Sequence, residues 1–442
     1  MSQPPHSCRH IAIVGAGLAG LSAAIKLLRQ GHQVSIFEAA PQAGGRARGV
    51  PHDSLMIDNG QHICLGAYQA TLALLHDAGL EEAQVFTRLP LALHMHDGAH
   101  RMSLITPFCL PAPLHLLWGL LTARGLSLKS KGLAIRWLLS LKKQAFKLSQ
   151  DTTVKALLKQ GQQTETAISM LWEPLCLAAL NTPVNTASAQ AFLNVLHDSF
   201  QQRRSDSDFL IANSDLSSAL IAPLIASITV SGGKVFLRTP VISVSHEAAH
   251  CVLETAQGKQ IFDDVILAVG PHQLKTIASV LPLPTPVFDY QAITTVYLQY
   301  SSDIRLPYPV MGLCHGLAQW VFDRGRCCQQ PGLLAIVISA HRALPGDKTA
   351  LIRQCIAELN QALSGYGWQL NQPPLWTQVI TEKRATFSCT PDLQRPSTTT
   401  MTPHIYLAGD YLTSPYPATI EAAVRSGFAA AAQLLASDSP LP

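Results

Sequence analysis

Gly15, Gly17 and Gly20 stand at G-x-G-x-x-G spacing, with Ala16, Leu18 and Ala19 between them. Glycines so placed bind a dinucleotide phosphate. The first allows a tight turn, the second lets a pyrophosphate approach the backbone, and the third lets helix and strand pack closely. Glu38, followed by Ala39, comes about 20 residues later, where a carboxylate can accept hydrogen bonds from a ribose. Gly44, Gly45 and Arg46 then expose more backbone N–H groups and set a guanidinium beside a diphosphate.

The elements that must hold these groups surround them. Ile11 to Val14 is an apolar run of the buried parallel-strand kind. Leu18 to Gln30 carries Leu21, Ala24, Ile25 and Leu28 at helical spacing, so the phosphate sits at a helix N-terminus, and Gly31 stops the helix. Val34 to Phe37 is the second strand, ending at Glu38. An ordinary βαβ unit with a glycine-rich turn would need neither Glu38 nor the second glycine pair.

Composition bounds the rest. A chain of 442 residues is long for one core, so two domains are expected. A net charge of +4 gives no reason to invoke nucleic acid. Met1 to His10 is polar and lacks the apolar core of a secretory signal. The ten cysteines are scattered without a C-x-x-C, which suits a reducing cytosol. His94 and His96 share a strand face, but no third ligand follows at a typical spacing. Solvent-facing histidines and no metal are expected there.

The pattern Glu38-x5-Gly44-Gly45-Arg46 resembles the amine oxidases and phytoene-type desaturases, and that resemblance implies FAD rather than NAD. It implies an α/β fold with an FAD-binding Rossmann-like domain of the glutathione-reductase type. That domain carries a β-meander and is interleaved with an α+β substrate domain. Residues 1–90, 205–290 and 388–442 fall to the first domain, and 91–204 and 291–387 to the second. In the resembled family a D-x-G segment, here Asp58 to Gly60, passes the isoalloxazine ring. Gly60 would let the backbone come close, while Gln61 and His62 would face flavin or substrate. The alternative for this segment is a hairpin turn with a solvated histidine. The residue matching Val241 packs near the adenine, and Asp410 in L-A-G-D matches the acid that holds the ribityl chain. The last helix begins near Thr419 and Ile420, and its positive end would face the flavin N1–C2=O edge.

Elsewhere, Val230 to Val269 alternates apolar and polar residues as a β-meander. Thr152 to Gln160 is a short helix capped by Asp151 or Thr152. Asp347 or Thr349 caps another helix. The strands expected later are Ala292 to Tyr300, Ala335 to Ser339 and Trp376 to Phe387. Near 107–147 an apolar segment broken by Pro111 and Pro113 precedes seven basic residues. It is too short and broken to span a bilayer. It suits either a protein lying on an anionic membrane or a helical cap with a solvated basic face. Ala178 and Ala179 among larger apolar residues suit either a core or the wall of an apolar tunnel. Glu173 in such surroundings would hold its proton more tightly, although a carboxylate at a helix start is also a cap.

Longer stretches, among them SAQAFLNVL, QWVFDR, EKRATF and AGDY…YPATIEAAVRSG, resemble the hydroxysqualene dehydroxylase family from Ile11 to about Ala432. The resemblance implies reductive dehydroxylation of hydroxysqualene to squalene in bacterial hopanoid biosynthesis, with hydride passing from reduced FAD to an allylic cation. The candidate proton donors are His62, Glu173, Glu382 and Tyr416. Arg384 and Arg324 are candidates to hold a pocket carboxylate, with a surface salt bridge as the alternative for Arg324. The implied partners are a triterpene alcohol, an external electron donor and enzymes of the same pathway. The implied location is the cytoplasm, with peripheral contact at the inner face of the membrane. Two rival readings are an isoprenoid desaturase or isomerase, and a flavin-free lipid chaperone related to the GDP-dissociation inhibitors.

Overall fold

The computed structural model describes residues 8–437 apart from 99, 201, 248–249, 285 and 342–343. Lys234–Phe236, Gln33–Phe37, His10–Val14, Asp264–Leu267 and Ile405–Leu407 form a parallel sheet in that spatial order. Alternate residues of its central strand serve opposite faces, as the two-residue period of a strand requires. Ile11 and Ile13 pack with Leu21 of the Leu18–Arg29 helix and Val424 of the Ile420–Ala436 helix. Ala12 and Val14 belong to the core that contains Val244, Leu253 and Phe262 of the meander. The two helices touch closely: a Cβ on Gly427 would lie 2.1 Å from the Ala19 carbonyl oxygen.

A second, seven-stranded mixed sheet runs in the order Trp376–Phe387, Tyr290–Gln299, Leu333–Ser339, Trp320–Asp323, Val310–Leu313, Ala92–His96 and Arg101–Ile105. Its Val296 and Leu298 pack under the Lys348–Ser364 helix. The intervening Tyr297 faces the other core, where the helices between Leu114 and Phe200 gather. The chain thus crosses between the two sheets several times.

Several local expectations change. The meander is Val241–Glu247, His250–Thr255 and Gly258–Phe262. Val230 instead ends the Ala222–Val230 helix, and Lys234–Phe236 joins the parallel sheet beside Gln33–Phe37. Alternation alone does not tell a meander strand from an edge strand of another sheet. Thr153 caps the Val154–Gln160 helix, while Asp151 accepts from the Ser188 hydroxyl and the Gln190 amide. Asp347 caps Lys348–Ser364 by accepting from the Thr349 amide.

His94 and His96 are not solvent-facing. Both are buried; His94 stacks on Tyr308 at 3.4 Å and hydrogen-bonds Ser103, and His96 hydrogen-bonds the Tyr366 hydroxyl. Burial pushes each imidazole down to about 4. The helix Lys348–Ser364 and the loop after it cover this strand end, and strand periodicity carries no signal of that cover.

Candidate active site

The C-terminal ends of the parallel strands open into a cavity of about 1010 Å³ that continues between the second sheet and the helices Glu173–Leu180 and Ala189–Phe200. At the strand end the wall is backbone and small residues. A Cβ on Gly17 would meet nothing within 4 Å, so this glycine opens onto the cavity. Gly15 turns at φ +105°, where a side chain would also collide with the Ala268 carbonyl. Gly20 and Ala16 are set back from the cavity. Gly20 packs on the Gly15 carbonyl, and the Ala16 amide donates to Glu38 at 2.8 Å. The other Glu38 oxygen accepts from the Ala40 amide at 2.8 Å, which leaves the carboxylate fixed at the rim.

Leu18, Ala19, Ala39, Gly44, Gly45 and Val241 line the same region. Arg46 pairs with Asp410 at 2.7 Å and donates to the Ala385 carbonyl at 2.7 Å. The two ends of the chain therefore meet across the cavity. Gly409 precedes this pair. Thr419 and Ile420 also reach the cavity, where the Thr419 side chain caps the final helix by accepting from the Ala422 amide.

Gly60, Gln61 and His62 line the middle of the cavity. The hairpin alternative does not hold, because the segment follows the strand Leu55–Asp58 and crosses to the second sheet. The Gln61 amide donates to the Thr295 hydroxyl at 3.3 Å. His62 Nδ1 lies 2.6 Å from the Gly60 carbonyl, which can only accept, so Nδ1 carries the proton of the neutral ring. Burial lowers the proton affinity of His62, and Nε2 is left as an acceptor. Glu382 holds the side chain of Asn59 at 3.1 Å and the Arg384 amide at 3.2 Å. Tyr416 donates to Asp198, and both border the cavity.

Glu173 is not among the cavity-lining residues. Leu175, Ala178 and Ala179 face the cavity at helical spacing, and Glu173, two residues before Leu175, points about 200° around the helix from it. Arg324 is no surface residue: it is wholly buried and pairs with Asp58. Arg384 does reach the cavity wall, 5.9 Å from the Tyr290 ring centre. Asp198 belongs to the site outside every motif, and Asn59 and Tyr411 lie inside the D-x-G and AGDY stretches without a role having been read for them. Asp198 had no sequence signal: six residues after Phe192, it stands about 120° around the helix from that side chain.

A family model of flavin containing amine oxidoreductases matches residues 18–435. The chain belongs to this family. Its relatives include the hydroxysqualene dehydroxylase of Zymomonas mobilis subsp. mobilis, 28% identical over 95% of this chain and 97% of that one. Another is the hydroxysqualene dehydroxylase of Rhodopseudomonas palustris, 29% identical over 97% and 98%. An oxidoreductase from Methanosarcina mazei shares the fold, with a TM-score of 0.73 at 14% identity over 95% of this chain and 99% of that one.

The cradle fits the flavin cofactor of this family. Gly17 and Gly45 give it open backbone, Glu38 stands at its rim, and Arg46 and Asp410 supply opposite charges. The Tyr411 hydroxyl, buried at the wall, has no hydrogen-bond partner among the described residues and is available to a ligand.

Proposed function

We propose that this protein binds FAD and reduces hydroxysqualene to squalene. The observation that carries the reading is the likeness, over nearly the whole chain, to proteins named as hydroxysqualene dehydroxylases. The cavity supports it: a nucleotide-sized cradle at the strand ends runs without a break into a wall of Leu175, Ala178, Ala179, Phe192 and Leu196. Glu38 is set to take ribose hydroxyls and Val241 to pack on adenine, which favours the dinucleotide form of flavin.

When bound and reduced, FAD supplies the hydride that replaces the hydroxyl. The chain does the rest. Its apolar wall holds the triterpene and keeps water from the reacting carbon. Arg46 and the N-terminus of the final helix give positive potential beside the cradle. A polar group facing the cavity must protonate the departing oxygen so that it leaves as water. His62 is poorly suited to this, because its only ring proton is held by Gly60. Electrons must come from an external donor.

Phe108, Leu114, Trp118, Leu121 and Leu128 expose apolar surface on and beside the helices Leu114–Thr122 and Leu128–Lys143. Lys129, Lys131, Arg136, Lys142 and Lys143 share the second helix. Apolar groups flanked by cations favour peripheral docking on an anionic membrane. A small apolar recess between these helices is bordered by Leu196, which also borders the main cavity, so a lipid substrate has a short way in. No helix among the described residues is long and apolar enough to cross a membrane.

The test is anaerobic. The yellow protein is reduced, hydroxysqualene is added, and flavin reoxidation is followed together with squalene by mass spectrometry. Stoichiometric squalene is the expected result. A flavin that stays reduced over untouched alcohol would overturn the reading and favour an isoprenoid desaturase.

A further inference from the structure

The helix Ala189–Phe200 presents Phe192, Val195, Leu196 and Ser199 to the cavity, three and four residues apart, as one helical face does. Asp198 sits at the margin of that face. One of its oxygens accepts from the Tyr416 hydroxyl, and the other lies 2.7 Å from His197 Nδ1. His197 is turned outward, with 41% of its side chain exposed and its ring edge against Phe146. A file of three polar groups therefore leads from outside the helix to the cavity wall.

We propose that Asp198 is the acid of the dehydroxylation, passing its proton through the Tyr416 hydroxyl to the departing oxygen and regaining it from solvent through His197. This rests on the reading that the protein is a dehydroxylase. In the step, the Tyr416 O–H turns from Asp198 to the substrate oxygen and gives it its proton, while the protonated Asp198 gives its own proton to the Tyr416 oxygen. The C–O bond breaks and its electron pair leaves with water. The vacated carbon takes a hydride from reduced flavin, and those two electrons are replaced by an external reductant. Tyr416 ends the step as it began, so it serves as a conduit and Asp198 as the proton store.

The surroundings suit these roles. Burial raises the Tyr416 hydroxyl, which keeps it a neutral group that both donates and accepts. The other charged or titratable neighbours are Arg425, 4.8 Å from the ring centre, Glu421 on the same helix, and Tyr68 ahead of the Gln69–Asp77 helix. Arg395 donates to the Tyr416 carbonyl at 2.7 Å and so fixes the loop.

The experiment uses reduced, flavin-loaded holoenzyme mixed anaerobically with hydroxysqualene across pH. In Asp198→Asn the neighbours keep a hydrogen-bonding partner, but no acid remains. Flavin reoxidation should slow by about 100-fold or more, the usual worth of a positioned acid. Tyr416→Phe should slow similarly. The wild-type rate should fall as pH rises, and Asp198→Asn should lose that dependence while Asp198→Glu recovers part of the rate. Hydroxysqualene binding to the oxidised holoenzyme should be unchanged in the two Asp198 variants. A carboxylic-acid C=O band in the infrared difference spectrum should vanish in Asp198→Asn. A wild-type rate and pH profile in Asp198→Asn would overturn the relay, as would a loss confined to substrate binding. A wild-type holoenzyme that hydroxysqualene cannot reoxidise would instead overturn the dehydroxylase reading.

Discussion

The Arg324 guanidinium and the Asp58 carboxylate lie 2.8 Å apart with both side chains sealed from solvent. The same guanidinium nitrogen reaches Gln61 Oε1 at 2.5 Å, and Nε reaches Gln330 Oε1 at 2.6 Å. Asp58 in turn accepts from the Leu216 amide at 2.7 Å, and its carbonyl accepts from the Tyr297 hydroxyl at 2.9 Å. The second sheet and the Leu216 backbone are thereby fastened to the segment that carries Gly60, Gln61 and His62 into the cavity.

Removing one partner leaves the other charge buried and alone. Arg324→Met is expected to cost about 3–5 kcal/mol of stability, read by chemical denaturation. The double replacement Asp58→Asn with Arg324→Met should cost less than Arg324→Met by itself. Equal stability of wild type and Arg324→Met would sink this account of the bridge.

Asp410→Ala strips Arg46 of its partner and the cradle of its carboxylate, and Glu38→Ala empties the rim. Each should weaken flavin binding about 10- to 100-fold, the worth of a hydrogen bond to a charged group. The check is flavin absorbance after dialysis, with far-ultraviolet circular dichroism to confirm the fold. Full retention of the yellow colour in both variants would contradict the assigned cradle.

Glu173 faces away from the cavity, so Glu173→Gln should keep both flavin and turnover, within about twofold. A large loss of single-turnover rate at unchanged flavin content would return this carboxylate to the list of acids.

His10, His62, His94, His96, His115, His272 and His341 are each displaced downward by burial, His94 and His96 to about 4. A histidine lowered in the folded state takes its proton first in the unfolded chain. Its contribution is whole above about 6.5 and is lost as pH falls toward about 4. Stability should therefore decline across that window, and replacing His94 and His96 by Gln should flatten the decline. Urea midpoints at several pH values decide it; an unaltered slope in the double variant would be the contrary result.

Anionic liposomes should carry the protein upward on flotation, and added salt should weaken the effect as it screens the basic helix. Phe108→Asp with Leu128→Asp should leave most protein at the bottom. Flotation indifferent to both changes would remove the docking surface from consideration.

The cradle was legible because its demands are local. Gly15, Gly17 and Glu38 answer to the backbone within one βαβ unit, and Asp410 follows directly from a strand end. The long strand Trp376–Phe387 was equally readable from its own residues. Burial across large sequence distance left no such trace. Glu421, buried at 0% exposure, accepts from the Ala70 and Thr71 amides some 350 positions away. His94 read as a surface residue, and Arg324 as either a pocket or a surface one, until other elements closed over them. Asp198 was hidden for a different reason: a helix turns a polar residue toward or away from a cavity within 100° per residue, and the sequence does not say where the cavity lies.

The order of strands in the parallel sheet has a consequence for synthesis. Ile405–Leu407 pairs with Asp264–Leu267, and the final helix lies against the first one. A chain emerging from the ribosome holds the glycines early but gains Asp410 only 390 positions after Gly20, and the Thr419 cap later still. Flavin capture then waits until both ends of the cradle have been made. Until that moment the apolar lining, built by residues 175–199 long before, has neither cofactor nor closing helix and needs shelter from other nascent chains.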